Sequence, residues 1–227
     1  MKIFVYWNYK DQDSKKIYQF IKQSSFFENL EKEHQIFWHK EYKDFPVDDT
    51  LKEHLQESDI IFFFTHGEDD RILKFRYNNE LVKDRFTFIS YNNARLLSEK
   101  KIFAFCCRSA NELGEYCVGF NVNSIFYIGF MDDLVYSDEC VVSGEFKSTI
   151  YKAYSAAFEK ALTESYEYKW TASRFVFMLK KYINDMLTEE ILSSKDRNFG
   201  SFASITFHRK TADSLVALGR SQELIFT

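Results

Sequence analysis

At 227 residues, 45% of them hydrophobic and 19% aromatic, the chain can fill one α/β domain with a large core and is too apolar for a disordered protein. A formal net charge of −4 without a dense Lys/Arg cluster gives no case for a nucleic-acid partner. No apolar run is long enough to span a bilayer and no signal pattern follows Met1-Lys2, so a cytoplasmic protein without membrane contact is expected.

Lys2 to Trp7 reads as a first strand, followed by a helix with Ile17, Phe20 and Ile21 on its apolar face. Gln35 to Trp38 is a second strand, with Pro46 in the loop beyond it. Thr50 and Glu53 have capping-box spacing, which predicts a short helix with Leu51 and Leu55 inward. Ile60 to Phe64 is uniformly apolar, as a strand buried on both faces must be, and ends at His66-Gly67. Residues 71–89 alternate weakly and suggest a β-hairpin turning at Asn78-Asn79. A short helix from Asn92 to Leu97 precedes a second buried strand, Lys101 to Cys106. Ser109 and Glu112 form another capping-box pair, with Leu113, Tyr116 and Cys117 at helical spacing. Ser124 to Phe130 is a fifth strand, and residues 145–187 read as two long helices. A polar stretch, Glu189 to Gly200, precedes a sixth strand at Phe202 to Phe207. No repeat or linker divides the chain, so residues 1–227 read as one domain. Strand–helix alternation predicts a six-stranded, mostly parallel sheet with helices on both faces.

Parallel α/β sheets place their sites at the carboxyl ends of the strands, where this chain puts His66 and Cys107, 41 residues apart. An imidazole able to take a proton and a thiol able to attack are the minimal apparatus of a cysteine hydrolase. A helix starting at Ser109, with Arg108 adjacent, favours the thiolate at Cys107. Cys106 alternates to the opposite face, into the core. Cys106, Cys117 and Cys140 read as small buried hydrophobes, and all four cysteines as reduced thiols. Gly67 permits close backbone approach, and its N–H is a candidate oxyanion donor. The bland readings are two core cysteines and a strand-end histidine bonded to a carbonyl; the two motifs together favour the chemical one. His34, His39, His54 and His208 lack carboxylates at ligand spacing, so no metal or other cofactor is implied. GxSxG, P-loop and GxGxxG motifs are absent.

An apolar strand ending in His66-Gly67, then an apolar strand ending in Cys107-Arg108-Ser109, resembles the caspase-like cysteine peptidases, whose two motifs lie roughly forty to fifty residues apart. The closest branch by this resemblance is the bacterial CHAT-type proteases, with a loose apolar-x-x-Cys-x-Ser pattern. Caspases proper carry Gln two residues before the Cys and metacaspases usually Asp; here Phe105 stands there, so neither specificity carries over. The resemblance covers roughly residues 1–135. It implies a caspase-like three-layer sandwich with His66 as base or proton donor and Cys107 as nucleophile. The Gly67 and Cys107 N–H groups would form the oxyanion hole, and no third carboxylate is obligatory. It further implies a protein or peptide substrate, a regulatory protein partner, and a place in bacterial antiviral defence.

Asp132 and Asp133, after the fifth strand, are expected on the same edge, where a carboxylate would select P1 Arg or Lys. An ordinary acidic loop with Asp138 and Glu139 is the alternative, and Asp11 and Asp13 are rival pocket carboxylates. Two other functional classes compete with the peptidase: a catalytically silent caspase-like interaction module, and a flavodoxin- or receiver-like domain. The last is weakened by the lack of an early acidic cluster and phosphoacceptor pattern.

Overall fold

The computed structural model describes residues 1–8, 15, 18–23, 25–40, 49–74, 87–134, 144–193, 206 and 209–227. Its elements in chain order begin with β1 (Lys2–Trp7), α1 (Phe20–Gln23), α2 (Ser25–Glu33), β2 (Gln35–His39), α3 (Asp49–Glu57) and β3 (Ile60–Phe64). Next come β4 (His66–Glu68), β5 (Arg71–Leu73), β6 (Thr87–Ser90), a 3-10 turn (Ala94–Leu97), β7 (Lys101–Phe105) and α4 (Glu112–Val118). The remainder is β8 (Phe126–Phe130), α5 (Gly144–Glu167), α6 (Ala172–Ser193) and β9 (Leu215–Gly219). The main sheet has six strands in the order β2-β1-β3-β7-β8-β9, parallel except for β9 against β8. This is an α/β three-layer sandwich.

The apolar runs 60–64 of β3 and 102–105 of β7 follow from burial on both faces, with alternate residues serving the two layers. On one face Phe62, Phe64, Phe103 and Phe105 pack under α1, α2, α5 and α6 through Phe20, Phe27, Phe158 and Phe175. On the other, Ile61, Phe63, Ile102 and Ala104 meet Leu55 of α3, Leu97 of the 3-10 turn and Leu113 of α4. Among the described residues no helix is long and apolar enough to cross a membrane.

Several boundaries differ from the sequence expectation. The third strand stops at Phe64, and His66 instead opens β4 of a separate antiparallel sheet ordered β4-β5-β6. Thr65 makes the break, its hydroxyl donating to the Leu73 carbonyl at 2.7 Å. The hairpin partners β5 and β6 are present, while Asn78-Asn79 lies outside the described residues. Thr50 sits inside α3 rather than capping it, and α6 continues to Ser193 through the start of the expected polar loop. The sixth strand is Leu215–Gly219: Thr206 is helical, and most of the expected strand at 202–207 is outside the described residues.

Candidate active site

The backbone register brings the two motifs together. Phe64 of β3 is the direct partner of Phe105 of β7, so the chain leaves both strands at the same sheet edge, reaching His66 on one and Cys107 on the other. Gly67 is pressed against the cysteine turn. A Cβ there would lie 2.6 Å from the Cys107 carbonyl oxygen and 2.8 Å from Cys106 Cβ, so only glycine fits without displacing backbone. His66 and Cys107 are both half-buried.

The two adjacent cysteines face opposite layers. Cys106 belongs to the α3–α4 side, fully buried, its thiol 3.8 Å from the Phe63 carbonyl. Burial pushes the Cys106 thiol far up, which keeps it protonated. Cys117 is likewise buried, its thiol pushed up to about 12. Cys140 lies outside the described residues. Cys107 packs against the opposite, aromatic layer, and its sulfur accepts a hydrogen bond from the Leu134 amide at 3.3 Å.

The expected source of thiolate stabilisation has to be corrected. Helix α4 begins at Glu112, with Asn111 at its N-cap position, so Cys107 is five residues upstream of the first helical residue. Ser109 does not cap; its hydroxyl donates inward to the Ala104 and Cys106 carbonyls, both at 3.1 Å. The helix-end field falls off within one turn and does not reach the sulfur strongly. Among the groups that do sit near it are the Leu134 amide and Arg108, whose charge is shared with two carboxylates.

Arg108 adopts φ 50°, a left-handed conformation unfavourable for a residue with a Cβ. Its guanidinium lies between Asp133 (3.0 Å) and Asp69 (3.3 Å), and the Arg108 backbone N–H donates to the Asp132 carbonyl at 3.2 Å. Burial works against the Arg108 charge, but Asp133 and Asp69, with Cys107 and Glu68 behind them, hold its pKa above the ordinary arginine value. The expected pocket carboxylates are therefore at the cysteine edge but already engaged, Asp133 by Arg108 and Asp132 by Lys210 at 3.0 Å. Lys210 first, then the Asp133 amide, hold the Asp132 carboxyl below the usual carboxylate range. Asp11, Asp13, Asp138 and Glu139 lie outside the described residues.

Three contributors were not visible in the sequence. Tyr18 donates to the Phe105 carbonyl at 2.7 Å, fixing the last residue of β7 before the chain turns towards Cys107. Asp69 and Asn111 join the histidine ribbon to the cysteine turn at 2.7 Å. The only hint was an Asp69-Asp70 turn pair three residues past His66. Elsewhere, His39 of the outer strand β2 and His54 of α3 share a hydrogen bond of 2.9 Å. Among the described residues no group of three metal-ligating side chains converges. No family model matches the sequence, no curated protein matches it, and no solved structure matches its fold.

Proposed function

We propose that this chain is a cysteine endopeptidase that cleaves a protein partner through a His66–Cys107 dyad, in the manner its resemblance to caspase-like peptidases implies. The observation that carries the reading is the Gly67–Cys107 backbone contact at the ends of two register-paired strands. It fastens the segment bearing the imidazole directly onto the turn bearing the thiol, while the second cysteine is turned into the core.

In this reaction His66 accepts the Cys107 proton, and the thiolate forms a bond to the carbonyl carbon of the scissile peptide. The resulting oxyanion is held by the Gly67 and Cys107 N–H groups. Ladder geometry supports the first donor. Glu68 and Arg71 close the two-residue Asp69-Asp70 turn, so alternation makes Gly67 and Ile72 the pair whose amides face away from each other. Collapse expels the amine, which takes the proton from His66, and leaves a thioester. Water, deprotonated by His66, then releases the acid and restores the thiol.

For substrate choice, Asp69, Asp133 and Arg108 together carry one formal negative charge beside the thiol, which favours a P1 Arg or Lys over an acidic residue. The test is a fluorogenic peptide panel with Lys, Arg, Leu, Ala and Asp at P1, assayed beside Cys107→Ala. Turnover that is highest after Lys or Arg and absent in the variant supports the proposal. Turnover equal in the native chain and the variant contradicts it.

A further inference from the structure

We propose that Asp69 is the positioning residue of the dyad, setting where His66 stands relative to Cys107; the inference rests on the His66–Cys107 reading above. His66 leaves the sheet on a short ribbon fixed at one end by the Phe64–Phe105 register. Three residues further on, Asp69 fixes the other end, and each of its contacts reaches into the cysteine segment. Its carbonyl accepts from the Leu113 N–H at 2.8 Å. Its Oδ1 accepts from the Asn111 side chain at 2.7 Å, and its Oδ2 faces Arg108 Nη1 at 3.3 Å.

Those partners also carry the connection onward. Asn111 donates a second bond to the Met131 carbonyl at 2.9 Å, and Arg108 bonds Asp132 and Asp133. The same loop supplies the Leu134 amide that meets the Cys107 sulfur. One carboxylate thus links the histidine ribbon, the cysteine turn and the loop whose amide touches the thiol. The left-handed Arg108 is held in place by the contacts that Asp69 anchors.

The role is positional rather than a matter of general stability. The Asp69 side chain is 43% exposed and that of Arg108 40% exposed, and ion pairs so open to water contribute little to folding. Geometry is the more sensitive quantity, since a displacement of about 1 Å at a reacting pair can lower rates by about a hundredfold.

The experiment follows alkylation of Cys107 by iodoacetamide, the adduct mapped by mass spectrometry, from about pH 5 to about pH 9, where imidazole and thiol exchange protons. The native chain is compared with His66→Ala, Asp69→Ala, Asp69→Asn and Asn111→Ala, each checked for folding by thermal unfolding. A paired imidazole gives the native chain a low-pH limb of reactivity that His66→Ala lacks. Asp69→Ala is expected to lose about tenfold or more of that limb and approach the His66→Ala profile. Asn111→Ala and Asp69→Asn, each of which breaks one of the two side-chain contacts, should fall between. An Asp69→Ala profile that traces the native one overturns the inference and leaves the dyad standing. A native profile that coincides with His66→Ala overturns both, since there is then no pair to position. If Asp69→Ala does not fold, Asn111→Ala decides, and an undiminished limb in that variant overturns the inference.

Discussion

Within the sheet, Phe62 stacks on Phe103 at 4.6 Å and Phe64 on Phe105 at 5.4 Å, with every residue of β3 and β7 buried. Beyond the strand ends, at the carboxyl rim, those contacts give way to half-exposed Asp69, Arg108, Asn111 and Asp133, joined at 2.7 to 3.3 Å. Burial in the body is non-directional and large; contacts at the rim are directional and, in water, individually small. The body therefore determines whether the chain folds, and the rim determines where two side chains stand. Substitutions in the two regions should separate along that line, stability responding to one and reactivity to the other.

The sharpest separation should come from Cys107→Ala, which removes a half-buried rim sulfur. Turnover and labelling are expected to fall by roughly three orders of magnitude or more, with thermal unfolding close to native. Parallel activity assays and melting curves check it, and a large stability loss would place Cys107 in the body. Phe103→Ala is the converse. It should cost about 3–5 kcal/mol of stability in denaturant titration, while the folded fraction keeps its Cys107 alkylation rate. Gly67→Ala lies on the border between the regions, because the new methyl meets the Cys107 carbonyl. Overpacking should cost about 1–3 kcal/mol and lower Cys107 reactivity as well; unchanged reactivity would show that the ribbon and the turn move independently. Cys106→Ala should cost about 1 kcal/mol and leave labelling in place.

Asp132 gives the smallest effect. Its carboxyl is held low by Lys210 and the Asp133 amide, so its contribution to stability is present above the unfolded value, about 3.9, and lost as pH falls through the folded value. Melting temperatures of the native chain and Asp132→Asn should differ slightly above about pH 4 and converge as pH falls from there through the lower, folded value. Coincident curves throughout would mean that this exposed pair contributes nothing.

The body was largely legible in the sequence and the rim only in part, for the same physical reason. The apolar runs 60–64 and 102–105 announce themselves because burial on both faces requires consecutive apolar residues. Their ends then place His66, Gly67 and Cys107 at one edge, and alternation correctly sends Cys106 inward. β9 escaped notice because Leu215–Gly219 is a short, half-buried edge strand whose apolar run fits a helix equally well. The helix at Ser109 was misplaced because a serine and a glutamate at box spacing cannot reveal that the hydroxyl bonds inward instead. Asp69 pairs with Arg108 and Asn111, 39 and 42 residues away, and nothing local to Asp69 encodes those partners.

The most direct measurement treats the native protein at neutral pH with a peptidyl electrophile bearing P1 Lys and maps the adduct across Cys106, Cys107, Cys117 and Cys140. A single adduct at Cys107 is expected, formed much more slowly in His66→Ala. Modification of Cys106, labelling spread over several cysteines, or a Cys107 rate indifferent to His66 would contradict this expectation.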